Sequence, residues 1–136
     1  MLSPTLDTVR LFLHILAASI WVGGQIVLAG LVPSLKRAAP ESVKVAARAY
    51  SRVAWPAFGV VVVTGLWNLS EIDVTDTSTA YQITLFVKIS LAITSGAAAA
   101  VHQVGRSRAA LAIGGAIGLL AALGAMFLGY LLSTGT

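Results

Sequence analysis

From Leu11 to Leu35 the chain runs without a formally charged side chain. That stretch exceeds the roughly 20 apolar residues needed to cross a bilayer. Three further runs follow: Val53–Leu69, Ile83–Val101, whose one charge is Lys88, and Ala109–Leu132, which has none. In hydrocarbon every backbone N–H and C=O needs a partner within the protein, so isolated runs of this kind fold as helices. The expected fold class is all-α, an integral membrane four-helix antiparallel bundle. It forms a single domain over 1–136, with spans at about 9–35, 53–70, 81–103 and 109–132. The first run is expected to be a retained span: it is too long for a cleavable signal, and Asp7 interrupts the basic region a signal needs.

Composition agrees. Hydrophobic residues make up 57% of the chain and charged residues 10%, against about 25% charged in soluble domains. With no cysteine, disulfides, thiolate metal sites and cysteine nucleophiles are excluded. The net charge of +4 does not indicate nucleic acid, because the basic residues lie between the apolar runs and report topology. Lys36, Arg37, Lys44, Arg48 and Arg52 populate the first loop, and Arg106 and Arg108 the third. The second loop carries Glu71, Asp73 and Asp76 and no base. The positive-inside rule then puts loops 36–52 and 104–108 in the cytoplasm and both termini outside; a bacterial plasma membrane is the expected location. Pro40–Arg52 reads as a helical extension of the second span. It has Lys44, Arg48 and Arg52 on one face, suited to anionic lipid heads or to solvent.

Two polar stripes interrupt the apolar spans. His14, Ala18, Trp21 and Gln25 share one face of the first helix. Tyr81, Lys88, Ser95 and His102 recur every seven residues on the third, with Thr84 beside the first two. Polar groups in lipid need partners, so the two stripes are expected to face each other. At about 1.5 Å rise per residue, His14 lies roughly 9 Å from the outer boundary, Lys88 about 10 Å and His102 about 31 Å. His14 and His102 therefore cannot hold one metal between them. His14 is the leading candidate ligand, since imidazole ligates metals and moves protons. Lys88 reads either as a ligand-facing cation or as a lysine that snorkels to the surface. His102 is a weaker metal candidate, beside Arg106 at the cytoplasmic end, and Trp21 suits either packing or cofactor contact. Gly114 and Gly118 form a small-xxx-small pair that lets helices approach closely inside the monomer.

These residues resemble a membrane superfamily. His14, Trp21 and Gly23-Gly24 look like the H-x6-W-x-G-G signature of copper-resistance D (CopD) domains. Pro56-Ala57 with Gly65-Leu66-Trp67 is similar to the second helix of CopD and of the HemJ-type protoporphyrinogen oxidases, and Lys88 matches the third-helix lysine of both. His102 falls where the HemJ type carries histidines. The likeness covers about Leu11–Arg108. The CopD resemblance implies copper handling or resistance, and Trp21-Val22-Gly23-Gly24 favours it. The HemJ resemblance implies b-type haem and porphyrinogen oxidation, with the first-helix histidine (here His14) and Lys88 as key residues. The compact four-helix length favours it, while the paired histidines of that family's third helix are missing. For copper, the departure is the lack of soft ligands: there is no cysteine, and methionine only at Met1 and Met126. The expected function is copper handling. The alternatives are a haem-dependent membrane oxidoreductase and an accessory subunit of a membrane complex, with oligomeric state left open.

Overall fold

The computed structural model describes residues 1–135. It is all-α, as the hydropathy pattern requires. The helices are α1 (Leu6–Ala38), α2 (Ser42–Ser70), α3 (Thr79–Val104) and α4 (Arg108–Thr134), with one 3-10 turn at Val74–Asp76. All four are long and apolar enough to cross a membrane. They form two compact units, each a helical hairpin: α1–α2 within Met1–Ile72, and α3–α4 from Asp73 onward.

The helices overrun the apolar runs at both ends, because helical hydrogen bonding continues into the polar interface. α1 begins on a capping box in which Thr5 Oγ1 accepts from the Thr8 N–H and Thr8 Oγ1 from the Thr5 N–H, each at 3.2 Å. It then runs on through Lys36 and Arg37, basic residues that complement the negative end of the helix dipole. α2 is one helix from Ser42, so the basic segment is its first three turns. Lys44, Arg48 and Arg52 are exposed along it. Ser78 and Ser107 cap α3 and α4 by accepting from the Tyr81 and Ala110 N–H groups. Pro33 and Pro56 lie inside α1 and α2 without ending them. Each removes one backbone bond, a loss that membrane helices tolerate through local adjustment and neighbouring groups.

Burial is inverted relative to a soluble domain. Phe86, Leu120, Phe127 and Val63 are among the most exposed side chains, whereas the buried apolar positions are mostly alanines: Ala17, Ala54, Ala57, Ala98, Ala121 and Ala122. Lipid competes for large apolar groups, so helix contacts in membranes form where small residues let backbones close up.

In the first hairpin that contact centres on Trp21, which is 5% exposed. Its ring lies edge-on to Trp55 at 5.3 Å and against Phe58 at 4.5 Å. Its carbonyl accepts from Tyr50 Oη at 3.1 Å and Gln25 Nε2 at 3.0 Å. Any side chain at Gly24 would collide with the Tyr50 ring, whereas Gly23 faces open space. The two glycines of the motif therefore differ: only Gly24 is required by packing in this hairpin.

In the second hairpin the glycines of α4 receive α3. A Cβ on Gly114 would stand 3.0 Å from the Ala98 carbonyl oxygen and from the His102 nitrogen. One turn on, the fully buried Ser95 donates to the Gly118 carbonyl at 2.9 Å. The small-xxx-small pair thus acts between neighbouring helices of one chain.

Candidate functional site

His14 sits in the third turn of α1, half-buried, and meets α2 at Thr64, with His14 Nδ1 and Thr64 Oγ1 2.8 Å apart. Thr64 is 4% exposed, and its hydroxyl donates back to the Val60 carbonyl at 2.5 Å, with Val61 a second acceptor at 3.3 Å. A hydroxyl has one proton. With that proton directed at the backbone, Thr64 Oγ1 can only accept from the histidine. The network therefore assigns a proton to Nδ1. This is the arrangement metal-binding histidines adopt, one ring nitrogen donating to a fixed acceptor while the other ligates. A Cβ on Gly65, next to Thr64, would stand 3.5 Å from His14 Cε1. The imidazole thus lies over the glycine that opens the Gly65-Leu66-Trp67 motif.

One turn toward the helix start, Arg10 lies on the same face of α1 as His14. It is 8% exposed. Its Nη2 pairs with Asp7 at 3.1 Å and its Nη1 with Glu71 at 3.6 Å, and its guanidinium lies 5.7 Å from the Trp67 ring centre. Trp67 in turn donates Nε1–H to Glu71 at 3.2 Å. Arg10 Nε is buried with no hydrogen-bond partner among the described residues, and so is Asn68 Oδ1. Two levels of polar contact thus join α1 to α2: Arg10 with Glu71 and Trp67, then His14 with Thr64.

The sequence singles out His14 but neither Arg10 nor Thr64. The signal for Arg10 is its spacing of four from His14. Thr64 has no such signal, since a threonine inside a membrane helix ordinarily bonds only its own backbone.

The α3 stripe has partners in its own hairpin. The Lys88 stem lies against Gly129, where a Cβ would stand 3.3 Å from both Cε and Nζ. Ser95 bonds Gly118 as described, and His102 Nδ1 lies within hydrogen-bonding distance of the Leu111 carbonyl. A carbonyl only accepts, so His102 also carries its proton on Nδ1 and ties the end of α3 to the first turn of α4. Trp21 is the packing centre of the first hairpin. Among the described residues no group of three or more His, Asp or Glu side chains could hold a metal ion.

Between α1 and α2 run two open, almost wholly apolar grooves, one along Leu16, Ile20, Val53 and Pro56 and one along Gly59, Val60, Val63 and Trp67. His14 lines neither, while its partner Thr64 lines the second. No family model, curated protein or solved structure matches the chain.

Proposed function

We propose that this integral membrane protein holds a metal centre on His14 Nε2, and that the centre is the iron of a b-type haem. The observation that supports this is the His14–Thr64–Val60 chain, which presets the ligating tautomer in a water-poor setting. The donor set favours haem over a bare ion. The whole chain has two histidines and no cysteine. A lone copper ion needs several protein donors, whereas a haem brings four nitrogens and asks the protein for an axial ligand. Lys88, by its resemblance to the family lysine, is assigned to the same function as the cation within the α3 span. An oxidoreductase of the porphyrinogen type is the activity this reading implies.

Copper handling is the second reading, favoured by Trp21-Val22-Gly23-Gly24 and its likeness to copper-resistance D domains. The visible spectrum of detergent-purified protein, oxidised and reduced, with metal analysis of the same sample, separates the two. A Soret band that disappears in His14→Ala is the expected result. Copper bound in stoichiometric amount with no Soret band would replace haem by copper. Binding of neither would leave the accessory-subunit reading.

A further inference from the structure

We propose that Arg48 and Arg52 of α2 bind the phosphate of an anionic glycerophospholipid, at a depth where the neighbouring stretch of α1 is still apolar. The site is separate from the His14 centre and does not rest on it. The register of the first hairpin sets the depth. His14 meets Thr64, the Trp21 ring lies against Phe58, and Gly24 faces the Tyr50 ring. Arg48 and Arg52 flank Tyr50 by two residues each, about 3 Å along the axis, so their backbones stand within a turn of the level of Gly24. Tyr50 Oη donates to the Trp21 carbonyl and its ring fills the space over Gly24, which holds this part of α2 to α1.

Beyond Gly24, α1 stays uncharged as far as Leu35, about 16 Å further on. Ile26, Val27 and Leu31 are exposed along that stretch. The two helices thus make opposite demands at one depth. The exposed apolar side chains of α1 are stable among acyl chains, whereas exposed guanidinium groups are costly there. No carboxylate answers them: among the described residues the ion pairs are those of Arg10, and Glu41 is the only acid between positions 8 and 70. A phospholipid satisfies both helices, with its chains beside α1 and its phosphate at the arginines. Arg10 to Gly24 spans about 21 Å, short of the roughly 30 Å hydrocarbon core, so the arginines reach toward the interface along their apolar stems.

The face of α2 is built for such a molecule. Lys44, Arg48 and Arg52 form one row, and Val45, Ala49 and Val53 form the row beside it, all exposed. Arg48 and Arg52 are one turn apart, about 6 Å, and a guanidinium takes phosphate oxygens through two parallel N–H groups. With Lys44 the row carries only positive charge, which favours a headgroup that has no ammonium of its own.

The test compares two lipids that differ only in the headgroup. Delipidated protein in a neutral maltoside detergent is titrated with phosphatidylglycerol and with phosphatidylcholine of the same acyl chains, and bound lipid is counted by native mass spectrometry. The wild type should prefer phosphatidylglycerol by at least about tenfold, since each basic residue at an anionic surface contributes about fivefold. In Arg48→Gln/Arg52→Gln the preference should fall to about twofold or less. Lys36→Gln/Arg37→Gln removes the same charge from the end of α1 and should leave most of it. Arg48→Lys/Arg52→Lys keeps the charge but not the planar fork and should fall between wild type and the Gln pair. Equal binding of the two lipids by the wild type overturns the proposal. So does an equal loss in both Gln pairs, which would make the charge diffuse, and so does displacement of the lipid by excess inorganic phosphate, which would make this a site for soluble anions. The wild-type comparison and the Lys pair stand even if the Arg48→Gln/Arg52→Gln protein fails to fold.

Discussion

Thr64 accepts the Nδ1 proton of His14 because its own hydroxyl proton is already directed at the Val60 carbonyl. The two helices of the first hairpin thus fix a histidine tautomer without any carboxylate. A neutral acceptor suits the membrane, since it orients the ring without adding a charge in lipid.

Thr64→Val tests the relationship at nearly constant shape. It leaves Nδ1–H without its acceptor and frees the ring to change tautomer. Loss of an outer-shell partner of a ligating histidine usually costs about 10- to 100-fold in affinity, and that loss is expected for whichever metal centre His14 binds. Thr64→Ser should restore most of it. Circular dichroism should show unchanged helix content. Unaltered affinity in Thr64→Val would mean that His14 is oriented by something else.

The four helices are legible in the sequence because the bilayer imposes one rule over long windows. A charge-free run of about 20 residues has little use in a water-soluble chain and matches the hydrocarbon thickness. Their ends are less legible: α1 and α2 continue through Lys36 and from Ser42, where hydropathy has already stopped reporting. His14 stands out as a lone imidazole inside an apolar run. Arg10 does not, because it sits at the edge of that run, where a basic residue reads as an ordinary interfacial flank. The α3 stripe is legible as a face, but its partners in α4 are glycines and a backbone carbonyl. Such groups leave no polar pattern in the sequence to match against.

Gly114→Val should weaken the second hairpin. The added side chain would meet the Ala98 carbonyl and the His102 backbone at about 3 Å, and backbone cannot step aside as a flexible side chain can. Overpacking of this kind costs about 1–3 kcal/mol. Unfolding in mixed micelles of increasing SDS fraction should show an earlier midpoint. Gly59→Ala is the control, since its Cβ meets nothing within 4 Å; its midpoint should hold or rise slightly, as alanine is the better helix former. Equal midpoints for Gly114→Val and wild type would remove the close α3–α4 approach.

The charge split between the loops gives a topology that can be tested directly. The chain has no cysteine, so single thiols introduced at Ser42 and Ser78 are the only reactive ones. Ser42 opens the basic stretch of α2, and Ser78 precedes α3 on the acidic loop. An impermeant maleimide added to intact cells should label the thiol at 78 and spare that at 42, with the pattern reversed in inside-out vesicles. Labelling of both from the same side would defeat the four-span arrangement.

Lys88→Met separates the two metal readings from the other hairpin. The lysine is half-buried in α3, its stem lying on Gly129. Methionine keeps an unbranched apolar stem there and removes the charge, so the α3–α4 contact should survive. A buried ammonium repels a bare metal cation and attracts an anion. If Lys88 serves a haem as the family lysine it resembles, Lys88→Met should lower haem affinity by about tenfold, the scale of one lost charge-assisted contact. If the centre is copper, uptake should be unchanged or improved, because losing a positive charge does not weaken the binding of a cation. Gly129→Ala offers a finer probe. Its methyl would press on Lys88 Cε and Nζ at 3.3 Å, and a flexible stem can give way, so the shift should be smaller than that of Lys88→Met and in the same direction. Haem and copper affinities both equal to wild type in Lys88→Met would make Lys88 a snorkelling lysine with no part in binding, and the metal site would then rest on the first hairpin alone.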